Sequence, residues 1–149
     1  MSYNSWKDIK PQEGKQELAF SLLGKVDFML WGGSRFGGKS ELLTMIPLPF
    51  YKDPNFRGIY FRRTYKEIMQ SNGLWDKANS MYPLFNGAGT PSSNTWKFPS
   101  GCRVQYSHMY HERDKEDHRG SGATLIAFDE IDKFSQSQVS FMMTCLRYE

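Results

Sequence analysis

Residues 33–40 read GSRFGGKS, in which glycines, one lysine and one serine follow the spacing G-x-x-x-x-G-K-S. Glycines let consecutive backbone N–H groups curve around phosphate oxygens without Cβ clashes. In this pattern Lys39 reaches the β- and γ-phosphates, and the Ser40 hydroxyl coordinates Mg²⁺. We therefore predict a phosphate cradle rather than a glycine-rich surface turn. Its members are Gly33, Ser34, Arg35, Phe36, Gly37, Gly38, Lys39 and Ser40.

A second chemical pattern lies about 90 residues downstream, where four apolar residues lead into two carboxylates in the sequence LIAFDE, residues 125–130. Alone, this string also fits a strand that ends in a solvated acidic turn. Beside a phosphate cradle, Asp129 would hold Mg²⁺ and Glu130 would polarise the water that attacks the γ-phosphate. A small-molecule kinase needs no activated water, so the pair favours hydrolysis. We predict an ATPase that uses ATP and Mg²⁺.

The elements around the cradle are predicted from apolar periodicity and from glycine and proline. Residues 15–23 form a short helix with Leu18, Ala19, Leu22 and Leu23 on one face, and residues 26–31 (VDFMLW) form a buried strand. A helix over 39–46 follows the cradle and ends before Pro47. Residues 57–63 form the next strand.

The second half of the chain is predicted in the same way. Thr64 and Glu67 form a capping box for a helix that reaches Pro83, although Asn72-Gly73 weakens this helix. Residues 86–94 are a loop, residues 95–98 and 103–108 form a hairpin, and residues 111–122 are a loop. Residues 124–128 are a buried strand, and Ser135 caps a last helix with Val139, Met142, Met143 and Leu146 on one face. The pattern predicts an α/β fold with a mainly parallel sheet and a hairpin insertion.

Length and composition are consistent with one globular unit. The chain has 149 residues, 39% of them hydrophobic, and a formal net charge of +3. We place an N-terminal arm at 1–14 and the domain at 15–149. Cys102 and Cys145 are too far apart for a CxxC motif, which favours a reducing compartment, and no apolar run is long enough to span a membrane.

Four segments together resemble the large terminase subunit of tailed bacteriophages, from about Lys10 onward. These segments are PQEGKQELAF, GGSRFGGKS, FRRTYKE and RGSGATLIAFDE. The resemblance implies a P-loop NTPase of the additional-strand, catalytic-glutamate type, which packages viral DNA into a capsid. It also implies a fold that is incomplete at the C-terminus, because the coupling motif and the nuclease domain of a whole subunit would follow residue 149.

The resemblance assigns three further residues. Gln16 looks like the family's adenine-contacting glutamine, with Gln12 as a competitor. Arg35, four residues before Lys39, looks like the family's phosphate-contacting arginine, so we count Arg35 and Lys39 with Glu130 as catalytic. Arg119 resembles the arginine finger that reaches a neighbouring subunit's ATP, and Arg113 is an alternative. The resemblance implies as partners double-stranded DNA, the portal protein, the small terminase subunit and further copies in a ring. The resemblance also implies that the protein acts in the host cytoplasm, at the procapsid portal.

Two other groups of residues invite functional interpretations that the sequence favours less. His108, His111 and His118 match no standard zinc spacing. Arg62, Arg63 and Lys66, with Tyr60 and Tyr65, resemble a nucleic-acid surface, but adjacent strand residues point to opposite faces. A different motor such as a helicase, and an idle nucleotide- or partner-binding module, are the alternative functions. We expect weak or absent turnover by this chain alone.

Overall fold

The computed structural model describes residues 3–32 and 38–147, in which helices flank a mixed five-stranded sheet. The α-helices are α1 (Lys15–Leu22), α2 (Lys39–Met45), α3 (Tyr65–Met69), α4 (Leu74–Met81) and α5 (Gln136–Met143). The strands are β1 (Arg57–Arg62), β2 (Ala88–Thr90), β3 (Thr95–Lys97), β4 (Arg103–His108) and β5 (Leu125–Phe128). Short 3₁₀ segments occupy Trp6–Asp8, Leu48–Phe50, Tyr82–Phe85, Pro91–Ser93, Glu112–His118 and Ile131–Lys133. No helix in the described part of the chain is both long and apolar enough to cross a membrane.

The strand order is β2-β3-β4-β1-β5. Strand β1 pairs in parallel with β4 on one side and with β5 on the other, whereas β3 is antiparallel to both β4 and β2. The prediction of a mainly parallel sheet is therefore corrected to a mixed one. The predicted hairpin of β3 and β4 is present, and it is part of the sheet because the other edge of β4 pairs with β1.

The sheet separates two cores because side chains alternate between its faces. On one face, Tyr60 of β1 and Tyr106 of β4 pack against α2, α3 and α4 in a cluster that includes Met45, Ile68 and Ala78. On the other face, Ile59 and Phe61 pack against the end of α5 in a cluster that includes Met142 and Cys145. Both cysteines are buried, free thiols.

The predicted strand over 26–31 is wrong. These residues carry no strand pairing, and Val26, Phe28 and Leu30 are exposed, Leu30 to 73%. The alternate residues Met29 and Trp31 instead pack against a small cluster formed by α1 and α2. An apolar run becomes a strand only where it pairs with another strand, and residues 26–31 pair with none in the described part of the chain.

Three other local predictions need correction. The helix expected from Thr64 to Pro83 is two helices, because the backbone is extended at Gln70 and left-handed at Asn72, with φ 59°. The link is tight at Gly73, where a Cβ would lie 2.7 Å from the Ile68 carbonyl oxygen. The expected loop over 86–94 contains β2. The apolar face of α1 was also misplaced: Leu18 is exposed, whereas Gln16 and Ala19 are buried.

The remaining elements follow the predictions closely. Strands β1 and β5 and helices α1 and α2 agree with the predicted segments to within one residue. Helix α5 begins where it was predicted but ends at Met143, so Leu146, predicted on its face, lies outside the helix and forms a β-bridge with Ala123. The capping box of Thr64 and Glu67 is formed, as is a second box in which Ser135 caps α5. On α5, Met142 is fully buried but Met143 is half exposed, so its buried face is narrower than predicted.

Candidate active site

Three charged side chains meet where β1 and β5 end. Strand β5 runs into Asp129 and Glu130, and β1 ends at Arg62, beside them in the parallel pairing. The Arg62 guanidinium places Nε 3.0 Å from Asp129 Oδ2 and a terminal nitrogen 2.8 Å from Glu130 Oε2. Parallel strands bring their carboxyl ends to one edge, which is why residues 67 positions apart in sequence meet here.

Asp129 is buried, and this burial raises the pKa of its carboxyl above the usual range. The nearby positive charges of Arg62 and Lys39 act in the opposite direction and favour the ionised form, as does a hydrogen bond from Ser40. A buried carboxylate in such surroundings is a strong attractor for a further cation, because each added positive charge reduces the cost of keeping it ionised.

Glu130 differs from its neighbour in both backbone and surroundings. Its backbone is left-handed, at φ 58° and ψ 58°, a conformation that costs an ordinary L-residue about 1–2 kcal/mol. Its carboxylate lies 2.6 Å from Lys133 Nζ, and this contact, followed by that with Arg62, lowers its pKa. Backbone strain at a charged residue is typical of functional sites.

The two predicted Mg²⁺ ligands face each other across the site. Ser40, in the first turn of α2, donates a hydrogen bond from its hydroxyl to Asp129 Oδ2 at 3.4 Å. Helix α2 is held in place by the buried Tyr82 hydroxyl, which donates a hydrogen bond to the Thr44 carbonyl oxygen at 2.8 Å. Serine and aspartate oxygens are hard donors of the kind that Mg²⁺ prefers, and they leave room for water ligands.

Gln16 lies against the start of α2. Its side-chain Nε2 donates to the Gly38 carbonyl oxygen at 3.0 Å, and its Oε1 accepts from the Gln12 backbone N–H at 2.7 Å. Gly38 has φ 70°, a left-handed conformation that favours glycine, and a Cβ at this position would also displace the Gln16 amide, since it would lie 2.5 Å from Gln16 Nε2. The competitor Gln12 is exposed and reaches Gln16 only through its backbone. The adenine contact predicted for Gln16 stays a prediction.

The other predicted site residues are not part of this cluster. Gly33, Ser34, Arg35, Phe36 and Gly37 lie outside the described residues. Arg119 is exposed, with Nε 2.9 Å from Glu116 Oε2 and its guanidinium 5.2 Å from the centre of the Phe141 ring. Arg113 is exposed and, among the described residues, forms no ion pair.

The histidines also lie apart from the carboxylates. His118 is half-buried against Phe61, its Nε2 lies 3.2 Å from Ser107 Oγ, and desolvation lowers its pKa. In residues 3–32 and 38–147 no three histidine, cysteine or acidic side chains group as a metal site would. Oxygen donation to Mg²⁺ by Ser40 and Asp129 is a different arrangement from such a cluster.

Sequence reasoning missed the cations that hold the carboxylate pair. Arg62 was considered only as part of a surface patch, and Lys133 was not considered at all. Lys133 joins Glu130 to Glu67, whose Oε1 lies 3.0 Å away. The sequence feature that could have indicated the contact is the arginine at the end of a buried strand, since a buried arginine side chain is almost always paired with a carboxylate.

Comparison with protein families identifies the family of this chain. The family described as terminase large subunit, T4likevirus-type, N-terminal, matches residues 30–149. The chain belongs to this terminase family. The match includes the G-x-x-x-x-G-K-S motif, Arg62 and the Asp129-Glu130 pair. Searches among curated proteins and among solved structures found no match. Terminase membership points to a role in the packaging of phage DNA.

Proposed function

We propose that this chain binds ATP with Mg²⁺ and provides the ATPase part of a phage DNA-packaging motor. The observation that supports this most directly is the meeting of Ser40, Asp129 and Glu130 at one end of the parallel strands. In open α/β sheets, ligands bind beyond the carboxyl ends of the strands, so the location fits a nucleotide.

In this proposal each side chain has a separate task. Lys39 neutralises phosphate charge, and Ser40 and Asp129 hold Mg²⁺, directly or through water. Glu130 orients the attacking water and accepts its proton. Bound Mg²⁺ would draw charge away from the phosphate oxygens. Arg35 would contact the phosphates of the same chain's ATP, and Arg119 would reach the ATP of a neighbouring copy. The proposal that hydrolysis drives translocation of double-stranded DNA rests on membership of the terminase family.

Arg62 and Lys133 compete with water for the carboxylate of Glu130. Both cations form ion pairs with it, at 2.8 Å and 2.6 Å. We infer that Glu130 must exchange these contacts for water when nucleotide and Mg²⁺ bind. The same contacts favour a second candidate function, an idle module that binds nucleotide without hydrolysing it.

The experiment that tests ATP binding is thermal unfolding with a non-hydrolysable ATP analogue and Mg²⁺. At a ligand concentration about 100 times Kd, binding adds about 2.7 kcal/mol, which corresponds to a rise in Tm of roughly 5–10 °C for a domain of this size. Lys39→Ala should abolish the rise. Lys97→Ala removes an exposed lysine of β3 and serves as the matched control, with the full rise retained.

Hydrolysis separates the two candidate functions. Phosphate release that disappears in Glu130→Gln, while the analogue still raises Tm, supports the ATPase. A Tm rise without any phosphate release supports the idle module. Absence of any Tm rise in the wild-type chain contradicts both.

A further inference from the structure

A second surface lies at the same end of the sheet, where β1 and β4 finish side by side. Arg62 pairs with His108 in the parallel register, so the residues that follow the two strands are neighbours. We call this the rim surface. Its members are Arg63, Tyr65, Lys66, His108 and Tyr110. The patch considered from sequence included Arg62 and Tyr60, but Arg62 turns to the carboxylates and Tyr60 is buried.

Aromatic rings on the rim surface are unusually accessible. Tyr65 is 46% exposed and Tyr110 is 55% exposed. The Tyr110 ring has the Arg63 guanidinium 5.3 Å from its centre, and the Tyr65 ring lies 6.3 Å from the His108 ring. Arg63 is held in place by its hydrogen bond to Gln138 Oε1 at 3.4 Å. Two tyrosines with ordered cationic and imidazole neighbours form a ready platform for flat aromatic ligands.

Two of the five members of the rim surface are cations and none is an acid. Arg63 and Lys66 take part in no ion pair among the described residues. Of the neighbouring acids, Glu67 pairs with Lys133, whereas Asp114 keeps its negative charge and accepts from the backbone N–H groups of Tyr110 and His111. An anionic ligand would therefore meet two cations against one carboxylate, which leaves an excess of positive charge.

We propose that the rim surface binds single-stranded DNA. Cations along a path that is interleaved with exposed aromatic rings suit a chain with phosphates outside and unstacked bases. A closed duplex offers phosphates to Arg63 and Lys66 but keeps its bases stacked inside, so it would leave Tyr65 and Tyr110 unused. The combination of both side-chain types favours the single strand over the duplex.

The rim surface adjoins the candidate active site through the backbone of β1. Arg62 contacts Asp129 and Glu130 on one side, and the next residue, Arg63, contacts Tyr110 on the other. A strand bound at Arg63 would thus lie one residue from the arginine that restrains Glu130. The inference draws on the proposed packaging function only for DNA as the source of the strand, and its test uses no ATP.

Fluorescence anisotropy of a labelled oligothymidylate of about 16 nucleotides, titrated with the complete chain, tests the proposal. We expect saturable binding in which Tyr65→Ala/Tyr110→Ala weakens affinity roughly tenfold or more, while Tyr65→Phe/Tyr110→Phe retains it. Arg63→Gln/Lys66→Gln should lower the salt slope by about 1.4, at about 0.7 for each lost phosphate contact. Lys7→Gln/Lys52→Gln removes two lysines that lie over other aromatic rings and should leave binding unchanged.

Three outcomes would overturn the proposal. The first is a duplex of equal length that binds as tightly as the single strand, and the second is no saturable binding. The third is a Tyr→Ala pair that binds within twofold of the wild type. Far-UV circular dichroism checks the folding of each variant, and the glutamine pair tests the surface even where the alanine pair fails to fold. The binding assay contains no ATP, so its result does not depend on whether the chain hydrolyses ATP.

Discussion

Arg62 holds two carboxylates whose surroundings differ. Its side chain and that of Asp129 are about nine-tenths buried, at 11% and 9% exposure, whereas that of Glu130 is 43% exposed. The contact with Asp129 therefore carries most of the energy, because exposed pairs are screened by solvent. Removing one partner of a buried pair leaves an uncompensated charge, which is costly.

Arg62→Ala should lower the free energy of unfolding by about 2–3 kcal/mol at neutral pH, after allowance for the exposed contact with Glu130. The deficit should shrink as pH falls toward the usual aspartate pKa of 3.8. Folded Asp129 binds its proton more tightly than the unfolded chain does, so protonation removes the buried charge that the variant leaves unpaired. Protonation of Glu130, whose pKa is lowered, also removes a contact that only the wild type has. Urea unfolding at several pH values measures the deficit.

Arg119→Ala is the control for this prediction. Arg119 is also paired with a glutamate, but its side chain is 70% exposed, so its loss should change stability by less than about 0.5 kcal/mol. A deficit for Arg62→Ala that stayed constant from neutral to acid pH would contradict the assignment of its cost to Asp129.

At the scale of elements, sequence predicts best where local chemistry decides. The capping residues Thr64 and Ser135 mark the starts of α3 and α5 because they satisfy backbone N–H groups near them. It fails where a distant partner decides. Residues 26–31 have a strand's apolar composition but pair with no strand in the described chain, and the residues of β2 show no apolar pattern but pair with β3. Gln16 is buried by the start of α2, which no periodicity in α1 reveals.

A buried tyrosine links elements that belong to different parts of the chain. The Tyr82 hydroxyl donates to the Thr44 carbonyl oxygen of α2 and accepts from the Tyr106 hydroxyl of β4 at 3.2 Å. Tyr82→Phe leaves both groups without this partner in the core and should cost about 1–3 kcal/mol. Chemical denaturation with unchanged m-value would measure this loss.

Tyr60→Phe gives the matched comparison. The Tyr60 hydroxyl is equally buried but has no hydrogen-bond partner among the described residues. Its removal should be neutral or stabilising, because an unsatisfied polar group leaves the core. If both substitutions cost the same, the hydroxyl bonds of Tyr82 do not fix α2.

At the scale of the whole molecule, the sequence predicted the carboxylate pair and the motif that ends at Ser40, and the structure brings Ser40 and Asp129 together. It did not predict Arg62 and Lys133 as their partners, since these contacts depend on which strands become neighbours in the sheet. The roles of Gln16, Arg35 and Arg119 toward ATP depend on the family resemblance. The rim surface could not be predicted from the sequence, because it depends on the parallel pairing that places the end of β4 beside the end of β1.

The described sheet ends at β5, whose outer edge has no strand partner within residues 3–32 and 38–147. In the same part of the chain, Phe28 and Leu30 are 60% and 73% exposed. Open strand edges and exposed apolar side chains both promote association.

We expect the chain to self-associate as its concentration rises, and we expect Phe28→Lys/Leu30→Lys to reduce the mass measured by size exclusion with light scattering. Because both side chains are exposed, Tm should change little. Leu18→Lys, which replaces a single exposed leucine of α1, should leave the mass unchanged, and equal loss of association in this control would contradict the role of Phe28 and Leu30.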